Sequence, residues 1–250
     1  WEGYFLSLFH ADDVYDSNIV TEQLRTFKKY PHLTTLFTHA RNIDGQGQFL
    51  GERFLPTELE TRKFHEFSFE DLFHLLLKYS NFLVCPSVLM KTEFYQKKLD
   101  GFRGDQFKSA LDVDAWLRAS REGRVGLLTM PLMSYRVSES SFTFQASIDR
   151  TYRHDFFLVL EHYLNDPEVK SFLTDEDRKN YQFLLFKDCM LRSWNAIRWK
   201  RYDEIPRKDF EMSAVLPRLF QSDYHQHYVL RALVIFFIRQ FVLGMRSFKI

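Results

Sequence analysis

Up to about residue 140, stretches with a strand-like apolar period alternate with stretches of helical period; beyond it the helical period runs almost unbroken. The run Tyr4 to Phe9 reads as an apolar strand that ends at Ala11-Asp12-Asp13, with Asp16-Ser17 as a helix start. Ser17 to Tyr30 is amphipathic and stops at Pro31, and Leu33 to Asn42 returns as a strand. Gly45-Gln46-Gly47 is a turn signal ahead of Gln48-Phe49-Leu50-Gly51, which predicts a hairpin. Ser68 caps a predicted helix through Lys78 whose buried face is Phe69, Leu72, Phe73, Leu76 and Leu77. Glu70 and Asp71 in its first turn suit the positive end of the helix dipole.

Phe82 to Met90 is an extended apolar run that Pro86 breaks at a turn or bulge. Thr92 starts a short helix, and Ala110 to Glu122 forms a longer one that ends at Gly123. Val125 to Met130 and Leu132 to Val137 give either a strand pair or one strand bent at Pro131. A helix is then expected from Ser147 to about Leu164, followed by a turn at Asn165-Asp166-Pro167. Thr174-Asp175-Glu176-Asp177 opens a long helix to about Trp199 in a capping-box pattern. Helices over Asp209 to Phe220 and Tyr224 to Met245 complete a four-helix tail without a Gly-rich linker or an internal repeat. The expectation is an α/β region over residues 1–142 and a helical extension over 143–250.

A chain of 250 residues can bury a sizeable core. Its formal net charge of +1 argues against a general polyanion binder, so nucleic acid is not an expected partner. The 27 Phe exceed what a core of this size needs, which leaves some rings for a groove, an interface or a membrane surface. Cys85 and Cys189 are too few and too distant for a disulfide framework or a zinc cluster. With no secretory leader at its start and no initiating Met, the chain reads as a fragment of a cytoplasmic protein. The run Ala232 to Ile238, bracketed by Arg231 and Arg239, falls far short of the roughly 20 residues a spanning helix requires. The helix around it either packs internally or lies in a membrane interface with its arginines at the rim.

Two acidic elements carry the candidate chemistry: Asp12-Asp13 after the first strand, and Asp112-Val113-Asp114 at the head of a helix. Moving a sugar from a nucleotide diphosphate requires something that neutralises the leaving diphosphate and a base for the acceptor hydroxyl. Asp12 suits the first task as a ligand for Mg²⁺ or Mn²⁺, and Asp112 the second. Each has a plainer reading. Adjacent acids before a helix are often caps, and Ser109-Ala110-Leu111-Asp112 is itself a capping pattern. Trp116 shares a helix face with Asp112 and is either core or the wall of an acceptor pocket. Cys85-Pro86-Ser87 reads as a strand bend, not a nucleophile. Arg136 is either a structural ion pair or a diphosphate contact. His225-Gln226-His227 is assigned to the surface, because alternate positions on a helix face different ways. Arg192, Arg198, Lys200 and Arg201, interleaved with Trp194 and Trp199, read as a snorkelling helix surface or as contacts to anionic lipid heads.

Four motifs occur in order: Ala11-Asp12-Asp13 after the strand, Pro86-Ser87-Val88-Leu89-Met90-Lys91, Leu111-Asp112-Val113-Asp114-Ala115-Trp116-Leu117-Arg118, and Pro131-Leu132-Met133-Ser134-Tyr135-Arg136-Val137-Ser138. In this order they resemble family 2 glycosyltransferases. The resemblance covers Trp1 to Phe142 and implies the second half of a GT-A nucleotide-diphospho-sugar transferase fold, a partial mixed sheet followed here by an α-helical C-terminal extension. It implies inverting transfer from a nucleotide-sugar, a UDP-sugar above all, to a saccharide or lipid-linked acceptor in surface polysaccharide or glycolipid synthesis. The implied setting is cytoplasmic, with peripheral contact at the inner face of the membrane. Asp12 matches the metal ligand, and Asp112 the base. His10, Asp13 and Arg136 match donor contacts, while Pro86, Ser87 and Trp116 would border the acceptor. His10 stands where the family has the first acid of its DxD element, Leu111 where it has Glu, and Ser138 where a His helps hold the metal. With the uracil-binding half missing, this chain alone is expected to bind nucleotide poorly and turn over little. The alternative is a non-catalytic, degenerate transferase domain that serves as a scaffold through its helical tail.

Overall fold

The computed structural model describes residues 3–138, 148–219 and 226–247. The chain is mixed α/β, 55% helix and 18% strand. It divides into two compact units, Trp1–Ser138 with Leu158–Val169, and Glu139–Phe157 with Lys170–Ile250.

The first unit holds one mixed sheet of seven strands: β1 (Phe5–Ser7), β2 (Val14–Tyr15), β3 (Leu33–Ile43), β4 (Phe49–Glu52), β5 (Phe64–Phe67), β6 (Leu89–Lys91) and β7 (Arg124–Arg136). Their order is β1-β6-β3-β7-β2, with β4 added to β3 and β5 to β7. Among the described residues only β3 and β7 run parallel; the other pairings are antiparallel. Burial of every residue from Leu33 to Ala40 is what a strand covered on both faces requires. The Val125 to Val137 segment is one bent strand. Its register against β3 shifts on both sides of His39, opposite Pro131, which has no N–H for the ladder.

The helices of this unit are α1 (Ile19–Lys29), α2 (Phe69–Tyr79), two short pieces, α3 (Thr92–Phe94) and α4 (Gly104–Phe107), and α5 (Leu111–Glu122). Ser68 and Asp71 form a reciprocal capping box at the start of α2, whose buried residues are the five that the periodicity selects. Each such side chain contributes about 1.5–3 kcal/mol of burial. Between the first strand and α1 the chain inserts β2, so the acid turn joins two strands, and α1 begins at Ile19 behind Asn18. Cys85–Ser87 is a 3₁₀ turn before β6, which matches the predicted bend.

Downstream, α6 (Phe156–Leu164) and α7 (Pro167–Phe172) span the changes between units, and α8 (Asp175–Arg198), α9 (Met212–Leu219) and α10 (Gln226–Ser247) belong to the second. α6 starts at Phe156, well after the predicted start at Ser147, which lies outside the described residues. The main chain before it is used otherwise: Arg150 turns inward onto Asp188 at 2.7 Å, and its carbonyl accepts Asn195 Nδ2 at 2.9 Å. Pro167, expected in a turn, instead occupies the first position of α7, where its missing N–H leaves no intrahelical bond unmade. Thr174 and Asp177 cap α8 reciprocally as the sequence predicts. Arg192 is not a surface cation: it is buried between Asp188 and Asp209, at 2.7 and 2.8 Å. Among the described residues no helix is long and apolar enough to cross a membrane.

Candidate functional site

The turn that joins β1 to β2 is held from both ends. His10 donates its main-chain N–H to the Tyr15 hydroxyl at 2.8 Å, and Phe9 packs edge-on against the Tyr15 ring at 4.4 Å. At the other side, the end of β7 grips the turn. The main-chain N–H of Arg136 donates to Asp13 Oδ1 at 2.8 Å, and its Nε donates to the Asp12 carbonyl at 2.7 Å. Arg136 Nη1 reaches the carbonyls of Asp44 and Gly45 at 2.7 and 3.0 Å. This guanidinium is therefore a clamp on two loops, with two of its three nitrogens committed to backbone oxygens.

His10 Nδ1 or Nε2 and one carboxylate oxygen each from Asp12 and Asp13 lie within 4.8 Å of one another. The Asp13 side chain is 1% exposed and stands 3.8 Å from His10 Nδ1. Its Oδ2 is buried with no hydrogen-bond partner. Burial pushes the Asp13 carboxyl above its ordinary range, the Arg136 N–H pulls it down, and the Asp12 charge raises it again. An orphaned carboxylate oxygen beside an exposed acid and an imidazole fits a divalent cation, with Asp12, Asp13 and His10 as ligands. The mixed nitrogen and oxygen donors suit Mn²⁺ better than Mg²⁺, which prefers an all-oxygen shell. Ser138 lies two residues past the end of β7.

Asp112 and Asp114 part company. Two residues apart on α5, they project to different faces of the helix. Asp114 is fully buried and bound to Arg103, Arg118 and the Tyr163 hydroxyl, so it belongs to the interior of the first unit. Asp112 keeps partial access to solvent. Burial raises its carboxyl, against the N–H groups of Val113 and of Asp112 itself and the charge of His10, which lower it. The charge of His10 is the weakest of these influences. The Ser109-x-x-Asp112 capping pattern is not what starts α5: Ala110 is the N-cap and makes no side-chain cap bond, while Asp112 accepts the Val113 N–H at 2.8 Å.

The acceptor contacts expected from sequence are buried within the first unit. Trp116 is 1% exposed, with Phe37 and Phe102 edge-on at 4.9 and 6.1 Å, which makes it core. Ser87 is buried; its Oγ accepts the Thr38 N–H at 3.0 Å and lies 2.8 Å from the Val84 carbonyl. Pro86 is buried beside it. These residues hold the turn before β6 onto β3 and offer no group to a ligand. The side chains of His225-Gln226-His227 lie outside the described residues.

Tyr15 is given no role by the sequence, whereas Cys85 is expected in a bend and not as a nucleophile. The Tyr15 hydroxyl is raised by burial and, more weakly, by the charges of Asp13 and Asp12 and by Cys85. The Cys85 thiol is pushed up to about 12 by burial, with Asp112 adding to the shift. Cys85 is thus neutral, and no nucleophile, at neutral pH. The strand alternation at Val14-Tyr15 was the available signal for Tyr15, and two residues are too short to reveal it. No protein-family model and no curated protein matches the chain.

Proposed function

We propose that the first unit carries an inverting glycosyl-transfer site on a partial GT-A-like scaffold. It would take a sugar from a nucleotide-diphosphate donor, a UDP-sugar, to the hydroxyl of a saccharide or lipid-linked acceptor. The observation that carries this reading is the acid turn itself, where His10, Asp12 and Asp13 offer ligand atoms within 4.8 Å of one another and Asp13 Oδ2 is buried without a hydrogen-bond partner. A parallel β3–β7 pair flanked by an antiparallel β6 is consistent with the second half of such a scaffold.

In this reading Asp12 and Asp13, with His10, hold Mn²⁺ or Mg²⁺, which would neutralise the departing diphosphate. Asp112 takes the proton from the acceptor hydroxyl as that oxygen attacks the anomeric carbon. Its raised proton affinity makes it a stronger base than an ordinary aspartate.

Titration calorimetry of the full chain with UDP, with and without Mn²⁺, tests the reading. Metal-dependent UDP binding that Asp12→Ala abolishes is the expected result. Binding of neither metal nor nucleotide would leave the second reading, a non-catalytic scaffold. That reading is favoured by the commitment of Arg136 to backbone carbonyls and by Ser138 at the place of a metal-supporting His.

A further inference from the structure

Helix α10 is apolar on two faces, and among the described residues of its own unit one of them is packed and the other exposed. Ala232 and Ile235 are buried, and Arg239 Nη2 donates to the Pro206 carbonyl at 2.6 Å. These contacts fix one side of the helix. On the other side Leu230, Val234, Phe237, Phe241 and Met245 recur at helical spacing and are all exposed, Phe237 and Phe241 at 68%. A continuous apolar row of this length on a water-facing helix marks an interaction surface.

Charge decides what the row meets. Gln226–Ser247 contains Arg231, Arg239 and Arg246 and no Asp or Glu. From Arg192 to Ile250 there are eleven Lys and Arg against five Asp and Glu; of the eleven, Arg192, Arg218 and Arg239 are buried, the first two against carboxylates. Arg231 is exposed at the edge of the row. Beside it a cavity of about 300 Å³ is lined by Trp194, Leu230, Arg231, Val234 and Ile235, so apolar walls and a guanidinium share one hollow. At the end of α8, Trp199 is exposed with the Arg198 guanidinium 5.1 Å from its ring. Indole and guanidinium together favour the boundary between headgroups and acyl chains.

We propose that this face of α10 docks on an anionic lipid bilayer, with the apolar row entering the acyl boundary and Arg231 meeting headgroup phosphates. A second copy of the chain is the poorer occupant. Face-to-face pairing would set one acid-free, arginine-bearing helix against another, with no carboxylate on either to neutralise Arg231. An anionic bilayer supplies both the apolar layer and the opposite charge. The proposal rests on the second unit alone and stands or falls independently of sugar transfer.

Co-sedimentation of the full chain with vesicles of phosphatidylcholine, alone or mixed with phosphatidylglycerol, tests it. Binding should rise about tenfold or more when phosphatidylglycerol is present and should weaken with added salt. The double variant Phe237→Ser with Phe241→Ser should lose about tenfold of that binding, with circular dichroism and melting temperature unchanged, because both rings are already in water. If that variant misfolds, Arg231→Glu decides alone, with an expected loss of about fivefold or more at unchanged fold. Equal affinity for both vesicles, or none for either, would overturn the proposal. So would a dimer in sedimentation velocity that the double variant dissolves, which would assign the face to a second copy.

Discussion

Asp13 Oδ1 accepts the main-chain N–H of Arg136 at 2.8 Å, while Oδ2 of the same carboxylate is buried without a donor. One oxygen therefore fastens the acid turn to the end of β7, and the other is left for a ligand. The two functions separate by substitution. Asp13→Ala removes the acceptor and leaves a backbone N–H unpaired, which costs about 1–3 kcal/mol in urea or thermal unfolding. Asp13→Asn keeps that acceptor, removes a buried charge and should hold wild-type stability. Both should lose Mn²⁺ affinity in calorimetry; retained affinity in Asp13→Asn would remove Asp13 from the ligand set.

Asp112 links the site to stability through pH. Its folded-state proton affinity lies above the ordinary value of 3.8, because burial outweighs the two N–H donors and His10. Below pH 3.8 both the folded and the unfolded carboxyl are protonated, and the group favours the folded state by its full amount. As pH rises through that value the unfolded chain ionises first, and this contribution is lost up to the folded pKa. Asp112→Asn still accepts the Val113 N–H and carries no charge at any pH. Thermal melts should therefore show the variant equal to wild type in acid and more stable at pH 7. In transfer assays the same variant should lose activity about 100-fold or more with UDP affinity unchanged. Equal loss of both would take Asp112 out of the base role.

The elements with strong local chemistry were legible in the sequence: the Ser68 and Thr174 capping boxes, the α2 face and the hairpin after Gly45 each rest on residues a few positions apart. β2 and β5 were not, since two and four residues carry no readable period and exist because β7 offers them an edge. Within the site, Asp12, Asp13 and His10 are neighbours in the chain and were read together. The roles of Arg136, Ser87 and Trp116 depend on what packs against them, and there tertiary contact overrode the motif. Asp112-Val113-Asp114 looked like an acid pair because the sequence does not show which helix face meets the core.

The interior acid of that pair gives a stability prediction. Asp114 binds Arg103 Nε at 2.8 Å and Arg118 Nε at 3.0 Å, and the Tyr163 hydroxyl donates to it at 2.9 Å. Replacing it by Ala strands the Tyr163 hydroxyl and removes the counter-charge of two guanidinium groups. Both arginines retain some exposure, so water partly replaces the lost partner, and the cost should be about 3 kcal/mol, the low end for a broken buried pair. Tyr163→Phe removes a single donor and should cost about 1 kcal/mol. Urea unfolding of both variants checks the ratio. A neutral Asp114→Ala would mean that the network contributes nothing.

Gly126 sits where β7 passes between β3 and β5, opposite Leu36 on one side and Glu66 on the other. A Cβ there would fall 2.7 Å from Leu36 Cδ1, 3.1 Å from Phe64 Cε2 and 3.2 Å from Leu33 Cδ1. Leu33 and Leu36 are fully buried in the cluster that also holds Phe27, Leu89 and Leu128, so neither can swing into open space. Gly126→Ala therefore overpacks the centre of the sheet and should destabilise by about 1–3 kcal/mol. Leu36→Ala alone should leave a cavity and cost about 2–5 kcal/mol. Combined with Gly126→Ala it returns part of the missing volume, so the double variant should be more stable than the sum of the two singles predicts. Strict additivity in thermal unfolding would show that the two side chains do not compete for the same space.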